Sequence, residues 1–181
     1  MVEKLKAEYN VEVEWRPFYL YFDTPPEGRE LPDTIKQKRA NGSEERLRSM
    51  ATSYGMEFKS TERIYNTRLA HEATEYAREH GKGVEFHKVI FRMIYAEGKD
   101  PSQWDVLRSA AQEVGLDGET MQKDVESETY KVNVEEQVRQ AYQIGVTGVP
   151  TYVINDRYAI VGAQPYEVFK NALEQIMNQK D

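Results

Sequence analysis

The apolar residues near the start of the chain alternate with charged ones. Val11, Val13 and Trp15 are separated by glutamates, and Pro17 follows them. A period of two places apolar side chains on one face of a strand, and a proline ends such a run because it has no N–H for a ladder. The pattern predicts a half-buried strand from Val11 to Trp15.

Residues 31–130 carry apolar residues three and four positions apart, which is the spacing of amphipathic helices. Glycines follow several of these stripes, as expected where helices end. We therefore predict a block of successive helices. Its apolar stripes are Leu47, Met50, Ala51 and Tyr54; Leu69, Ala73, Tyr76 and Ala77; Phe86, Val89, Ile90, Met93 and Ile94; Trp104, Leu107, Ala111 and Val114; and Met121 with Val125.

The pattern of residues in the C-terminal part of the chain predicts a helix, a hairpin and a second helix. A stripe from Val134 to Tyr142 indicates the first helix, and β-branched residues then predict two strands, 151–154 and 158–161. Asn155 and Asp156 lie between the strands and tolerate the left-handed backbone of a tight turn. The last helix has a proline near its start and the apolar residues Val168, Phe169, Ala172, Leu173 and Ile176.

The segment before this hairpin reads Gly-Val-Thr-Gly-Val-Pro over residues 145–150. A proline cannot donate to a sheet ladder, so Pro150 belongs on the loop that enters the strand. Taken alone, such a loop is more often a tight turn than a ligand site. A cis-proline here would turn the backbone of Val149 outward, towards an extended peptide.

These residues resemble a known family. Residues 145–154, followed by Tyr158 and by 161–164, are similar to the end of DsbA-type thioredoxin-fold proteins, in particular the cytosolic FrnE-like branch. Residues 15–18 and the Pro-Pro-Glu-Gly stretch at 25–28 resemble the same branch. The resemblance implies an α/β, thioredoxin-like fold with a helical insertion. Residues 1–22 and 131–181 would form the incomplete thioredoxin-like domain, and 23–130 the inserted helical subdomain.

The resemblance also implies a substrate loop made of Thr147, Gly148, Val149 and Pro150. A second set of residues would line the same cleft: Trp15, Arg16, Asn66 and His71. Each of these has a plainer interpretation, which we favour for Asn66 and His71. Asn66 would be a helix cap and His71 a half-buried helix histidine, while Trp15 would be a core residue.

The redox motif of the family is absent. Its activity rests on Cys-x-x-Cys at the start of the first helix, and these 181 residues contain no cysteine. Aligned by its motifs, the chain lacks the family's first strand and the start of its first helix. In the family that strand lies between the Val11 and Thr151 strands. We expect a truncated reading frame, direct pairing of the two strands, or a strand supplied by another chain.

Three functions therefore stay open. The first is a thiol-disulfide oxidoreductase. This chain as given cannot perform that reaction, because it contains none of the catalytic residues. The second is a non-catalytic, peptide-binding or chaperone-like module. The third is a glutathione-dependent isomerase or kappa-type transferase, which activates a bound thiol. The partner would be a protein or peptide, or glutathione, and exposed strand edges predict a homodimer.

Composition excludes several other classes. A net charge of -7 argues against a nucleic-acid partner, and no apolar run is long enough to span a bilayer. The first residues carry no apolar signal core, which predicts a cytoplasmic location. His71, His80 and His87 have neither a cysteine nor a helical i, i+4 partner, so we expect no metal site. No glycine-rich phosphate loop occurs, so we expect no cofactor.

Overall fold

The computed structural model describes residues 1–178 and is mostly helical. Its helices are α1 (Val2–Glu8), α2 (Asp33–Ala40), α3 (Ser43–Ser53), α4 (Arg68–Glu79), α5 (Gly83–Tyr95), α6 (Trp104–Glu113), α7 (Gly118–Glu126), α8 (Thr129–Gln143) and α9 (Tyr166–Asn178). Its strands are β1 (Arg29–Glu30), β2 (Arg63–Ile64), β3 (Thr151–Ile154) and β4 (Tyr158–Val161). Among the described residues they form two antiparallel pairs, β1 with β2 and β3 with β4.

The chain divides into two compact units. The terminal unit comprises Met1–Leu20 and the residues from Gln137 onward, and the helical unit is Tyr21–Glu136. The division into two domains at residues 22 and 130 stays a prediction. Among the helices of residues 1–178, none is long and apolar enough to cross a bilayer.

The core of the helical unit lies between α4, α5, α6 and α7. Ala73 and Ala77 of α4 are fully buried, and their small side chains let the other helices approach α4 closely. Phe86 and Leu107 fill the space between the helices. Gly118 starts α7 where a Cβ atom would lie 2.9 Å from the Cβ of Arg108, so a side chain there would force α6 and α7 apart.

The predicted stripe on α3 is present but does not pack into a core. Leu47 is 51% exposed, Met50 and Tyr54 are exposed as well, and no residue of α3 is buried. The three-and-four spacing identifies the apolar face of a helix, but it contains no information about whether another element covers that face. The predicted helix is present, and its apolar stripe is largely exposed to solvent.

The terminal unit has a small core around α1, α9 and the β3–β4 hairpin. Leu5, Phe169 and Leu173 are buried, and Tyr152, Ile154 and Ile160 pack against them from one face of the hairpin. The Tyr152 and Phe169 rings meet edge to face with centroids 4.7 Å apart, a favourable aromatic geometry. One face of the hairpin is therefore fixed by packing.

The hairpin turn agrees with its sequence. Asn155 and Asp156 have φ angles of 51° and 54°, in the left-handed region predicted for them. The Arg157 N–H donates to the Ile154 carbonyl at 3.2 Å and closes the turn. Two residues that tolerate left-handed geometry thus set where β3 ends and β4 begins.

The strand predicted from Val11 to Trp15 is not formed. Residues 10–19 lie outside every described helix and strand, and Val13 and Trp15 are exposed. A strand needs a neighbouring ladder, and β3 pairs only with β4 within residues 1–178. The prediction of a half-buried strand is therefore wrong, since neither its ladder nor its buried face is formed. Direct pairing with the Thr151 strand does not occur among the described residues.

The core of the helical unit gives a stability test. Leu107→Ala removes a fully buried side chain from the packed interior, and we expect the free energy of unfolding to fall by about 2–5 kcal/mol. Leu47→Ala, the same change at an exposed position of α3, is expected to change it by no more than about 0.5 kcal/mol. Urea unfolding followed by circular dichroism measures both. Equal losses in the two variants would contradict the assigned core.

Candidate functional site

The proline loop is held at its start by the end of α8. Gly145 has a φ of 83°, and its N–H donates to the Tyr142 carbonyl at 3.0 Å. The Val146 N–H donates to the Ala141 carbonyl at 3.0 Å, which completes a Schellman motif. Because the left-handed angle suits glycine, this residue ends the helix and directs the chain into the loop.

The loop is held at its other end by the hairpin. The Thr151 hydroxyl donates to the Gly148 carbonyl at 2.7 Å, and the Gly162 N–H donates to the Pro150 carbonyl at 2.8 Å. The Val149–Pro150 peptide bond is cis. All four predicted loop residues, 147–150, thus lie between these two anchors, and the carbonyls of Gly148 and Pro150 are hydrogen-bonded.

Val149 itself points outward. The residue is 54% exposed, although valine usually lies inside proteins. Among the hydrogen bonds of residues 1–178, none uses the Val149 N–H or carbonyl. A residue with an exposed apolar side chain and both backbone groups available is suited to pairing with another extended chain.

Trp15 and Arg16 lie in the same unit as this loop. Trp15 is 40% exposed, so it is not a core tryptophan. The Arg16 guanidinium donates to the Gln140 side chain at 3.3 Å and to the Glu14 carboxylate at 3.2 Å. The Gln140 contact ties the extended segment 10–19 to α8, and the Glu14 contact pairs the Arg16 charge at the surface.

Asn66 and His71 lie in the helical unit. The Asn66 side chain accepts from the Arg68 N–H at 2.9 Å and donates to the Thr24 carbonyl at 2.7 Å. The N-cap of α4 is Thr67, so Asn66 lies one residue before the cap. Its side chain forms an Asx turn ahead of the helix and fixes the neighbouring loop at Thr24. His71 is half-buried in α4, and its backbone N–H donates to the Thr67 carbonyl at 3.0 Å. That they share a cleft with the proline loop stays a prediction.

Two buried carboxylates on α4 were not found from the sequence. Glu72 and Glu75 are both buried, and Glu75 accepts from the Asn133 amide at 3.3 Å. The Arg68 guanidinium comes to 3.5 Å from Oε1 of Glu72, yet that oxygen has no hydrogen bond. Burial raises the pKa of Glu72, and the nearby positive charges of Arg68 and Lys131 oppose this increase without cancelling it.

Glu72 and Glu75 do not form a metal centre. Across residues 1–178 there is no group of three or more histidine, aspartate or glutamate side chains placed to hold a metal ion. The only signal for this burial in the sequence is their position in the stripe of α4, between buried alanines. A charged residue at such a position usually lies at the exposed edge of the apolar face of a helix. The sequence therefore did not predict that Glu72 and Glu75 are buried.

Comparisons with known proteins agree on one family. A family model described as a DSBA-like thioredoxin domain matches residues 1–174. The uncharacterized protein YwbO of Bacillus subtilis (strain 168) is 32% identical over 181 residues, covering 98% of this chain and 88% of that protein. A 2-hydroxychromene-2-carboxylate isomerase of Sphingobium xenophagum is 32% identical over 85 residues, which is 47% of this chain and 44% of the isomerase.

A solved structure has the same fold. The crystal structure of a probable DsbA oxidoreductase from Streptomyces coelicolor superimposes with a TM-score of 0.85 and 27% identity, covering 99% of this chain and 82% of that one. The predicted fold class, thioredoxin-like with a helical insertion, is confirmed. The FrnE-like branch stays a prediction.

The buried Glu72 carboxyl gives a pH test. Because its pKa is raised in the fold, the carboxylate destabilises the protein above the ordinary glutamate pKa, and protonation removes this penalty at lower pH. We expect Glu72→Gln to unfold at higher urea concentration than wild type at pH 7, with the difference shrinking towards pH 4. Urea titrations across this range provide the measurement.

Glu57→Gln is the matched control, since Glu57 is exposed in the loop between α3 and β2. It removes the same charge from the same unit and is expected to leave the urea midpoint almost unchanged. A Glu72→Gln protein that is less stable than wild type at pH 7 would mean that the Arg68 contact outweighs burial.

Proposed function

Because the chain belongs to the family of DsbA-like thioredoxin domains, we propose that its proline loop binds extended polypeptide segments without exchanging disulfides. The observation that carries the proposal is Val149, whose side chain is exposed and whose backbone groups make no hydrogen bond within the described chain. The partner is a protein or peptide in extended conformation.

The loop geometry supports backbone recognition. An extended peptide places an N–H and a carbonyl of the same residue on one side, so a single residue of the peptide can exchange two hydrogen bonds with Val149. The loop is already fixed by Gly145, Thr151 and Gly162, so little conformational entropy is lost on binding. Backbone pairing of this kind tolerates many side-chain sequences, which suits a chaperone-like module.

The chemistry of these residues is limited by the absence of thiols. Thiol–disulfide exchange needs a thiolate that attacks a sulfur and forms a mixed disulfide. None of the 181 residues is a cysteine, so none of their side chains performs that step. We therefore assign binding, and no redox step, to the residues described. The cytoplasmic location predicted from the sequence stays a prediction.

A second candidate is isomerisation with bound glutathione. One observation favours it: the 85-residue match to a 2-hydroxychromene-2-carboxylate isomerase. An enzyme that activates a bound thiol needs no cysteine of its own, so the composition of the chain is compatible with this chemistry. Glutathione is a short peptide, and its backbone would contact the same Val149 groups.

The peptide proposal is tested at the exposed loop side chain. Val149→Asp places a carboxylate where an incoming chain presents its carbonyls and apolar side chains. We expect fluorescein-labelled, carboxymethylated insulin B chain to bind wild type and to bind this variant at least about tenfold more weakly, a loss of about 1.4 kcal/mol. Fluorescence anisotropy measures the affinity.

Val132→Asp is the matched control. Val132 is 72% exposed on α8 within the helical unit, so the same substitution adds the same charge at the surface of the other unit. It is expected to bind the B chain as wild type does. The proposal fails if the B chain does not bind wild type, or if both variants lose affinity equally.

Reduced glutathione separates the two candidates. A loop that recognises only the peptide backbone makes no use of the thiol. We therefore expect isothermal titration calorimetry to give the same, weak affinity for reduced glutathione and for S-methylglutathione, which lacks the free thiol. Saturable binding of reduced glutathione that is clearly tighter than that of S-methylglutathione would instead favour the isomerase class.

A further inference from the structure

Four aromatic rings form a continuous row on the helical unit. His87, Phe91 and Tyr95 lie four residues apart on α5, and their successive ring centroids are 4.3 and 5.5 Å apart. The Tyr95 ring also stacks with that of Phe58, from the loop after α3, at 6.2 Å. We call these four side chains the ring row. Phe91 and Tyr95 are exposed, so the ring row presents apolar surface to solvent.

The ring row ends at a groove of about 430 Å³, because Phe58 is also one of the residues that line this groove. We call it the loop groove. The residues that line it are Arg48, Thr52 and 55–59. The Met56 N–H donates to the Ala51 carbonyl at 2.9 Å, and the Lys59 N–H donates to the Tyr95 carbonyl at 2.5 Å. Both ends of the loop that forms the groove are therefore fixed.

The loop groove carries a positive charge that is available to an anion. Lys59 lines the groove, and within residues 1–178 its ammonium group makes no ion pair or hydrogen bond. The Arg48 guanidinium, in contrast, is paired with the Glu44 carboxylate at 3.0 Å. Glu57 is the only carboxylate among the lining residues, and its charge opposes the binding of an anion.

The segments around the groove and the ring row are basic in an otherwise acidic protein. Residues 33–59 and 82–95, which contain both features, hold nine lysines and arginines and five aspartates and glutamates. The whole chain holds 24 lysines and arginines and 31 aspartates and glutamates. A local excess of positive charge attracts anions and repels cations.

The far end of the ring row carries no charge at neutral pH. Burial lowers the pKa of His87, and the positive charge of Arg78 lowers it further. The imidazole is therefore neutral at pH 7. The surface thus has a cationic end at Lys59 and an uncharged aromatic end at His87, which is the polarity of a site for an amphipathic anion.

We propose that the helical unit binds the anion of a fatty acid, with its carboxylate at Lys59 in the loop groove and its alkyl chain along the ring row. An alkyl chain is long and narrow, so it covers several rings in turn, whereas a single flat ring covers only one of them. This site is separate from the proline loop, and it does not rest on the proposed function.

A single fatty-acid anion suits this surface better than an anionic bilayer or a second copy of the chain does. Outside residues 33–59 and 82–95 the chain holds 15 basic and 26 acidic residues. A bilayer or a second copy extends over much of the protein and meets this negative charge. A small anion at Lys59 responds mainly to charges within about 10 Å, because salt screens those beyond.

The test compares two methionines of equal exposure. Met56 lines the loop groove and is 57% exposed, and Met177 of α9, in the terminal unit, is 56% exposed. The probe is dansylaminoundecanoic acid, whose fluorescence reports binding and which dodecanoate displaces. We expect Met56→Asp to bind the probe at least about tenfold more weakly, because a carboxylate replaces an apolar contact, and Met177→Asp to bind it as wild type does.

Two changes at exposed side chains test the charge and leave the core intact. Lys59→Gln removes the cation and is expected to weaken binding about two- to fivefold, which is typical of an exposed charge pair. Glu57→Gln removes the opposing carboxylate and is expected to strengthen binding. Dodecyltrimethylammonium has the same chain length as dodecanoate and the opposite charge, and we expect it not to displace the probe from wild type.

Other outcomes overturn the proposal. Unchanged affinity in Met56→Asp, or equal displacement by dodecanoate and dodecyltrimethylammonium, would mean that no anion site lies in the loop groove. Displacement of the probe by carboxymethylated insulin B chain would place it at the proline loop instead. Binding to phosphatidylglycerol vesicles without binding to dodecanoate below its critical micelle concentration would indicate a bilayer surface. A mass by light scattering that doubles with concentration, and does not do so in Met56→Asp, would mean that a second copy covers the surface.

Discussion

The hydrogen bond between the Gly162 N–H and the Pro150 carbonyl fixes the arrangement on which the candidate site depends. It makes Pro150 the first paired residue of the hairpin, and the alternation of an antiparallel ladder then decides the direction of every backbone group in β3. The same bond holds the end of the loop, so Val149 is presented outward from a rigid position. The directions of the loop and of the strand are therefore consequences of one register.

Packing keeps this register from slipping. A slip of one residue would exchange the two faces of β3 and move Tyr152 and Ile154 away from Phe169. The edge-to-face contact of Tyr152 with Phe169 therefore stabilises the hairpin and, through it, the direction of the unpaired groups. The candidate site consists of polar backbone atoms, but apolar contacts on the opposite side of the strand determine where those atoms point.

The elements that the sequence predicted correctly are those that depend on local chemistry. The helices α4 to α8, the turn at Asn155 and Asp156, and the hairpin follow from spacing and turn residues that lie next to each other in the chain. The strand from Val11 to Trp15 depends on a partner far away in sequence, and that prediction was wrong. Whether another element covers the apolar stripe of α3 depends on distant residues too, and the spacing alone did not decide it. Glu72 belongs to the same class, because only packing of α4 against other helices buries its carboxyl. For the candidate site, the sequence placed residues 147–150 on a loop, whereas the direction of the backbone groups in β3 required the observed register.

In the proposed function, binding and chemistry are separable because they use different atoms. Disulfide exchange needs a sulfur nucleophile, which none of these 181 residues provides, whereas pairing with an extended chain needs only backbone N–H and carbonyl groups. The positions of those groups are set by the hydrogen bonds at the two ends of the loop and by the core beneath the hairpin, and no thiol contributes to either. The proposed recognition of a chain therefore depends on the packing of the terminal unit and not on a reactive side chain.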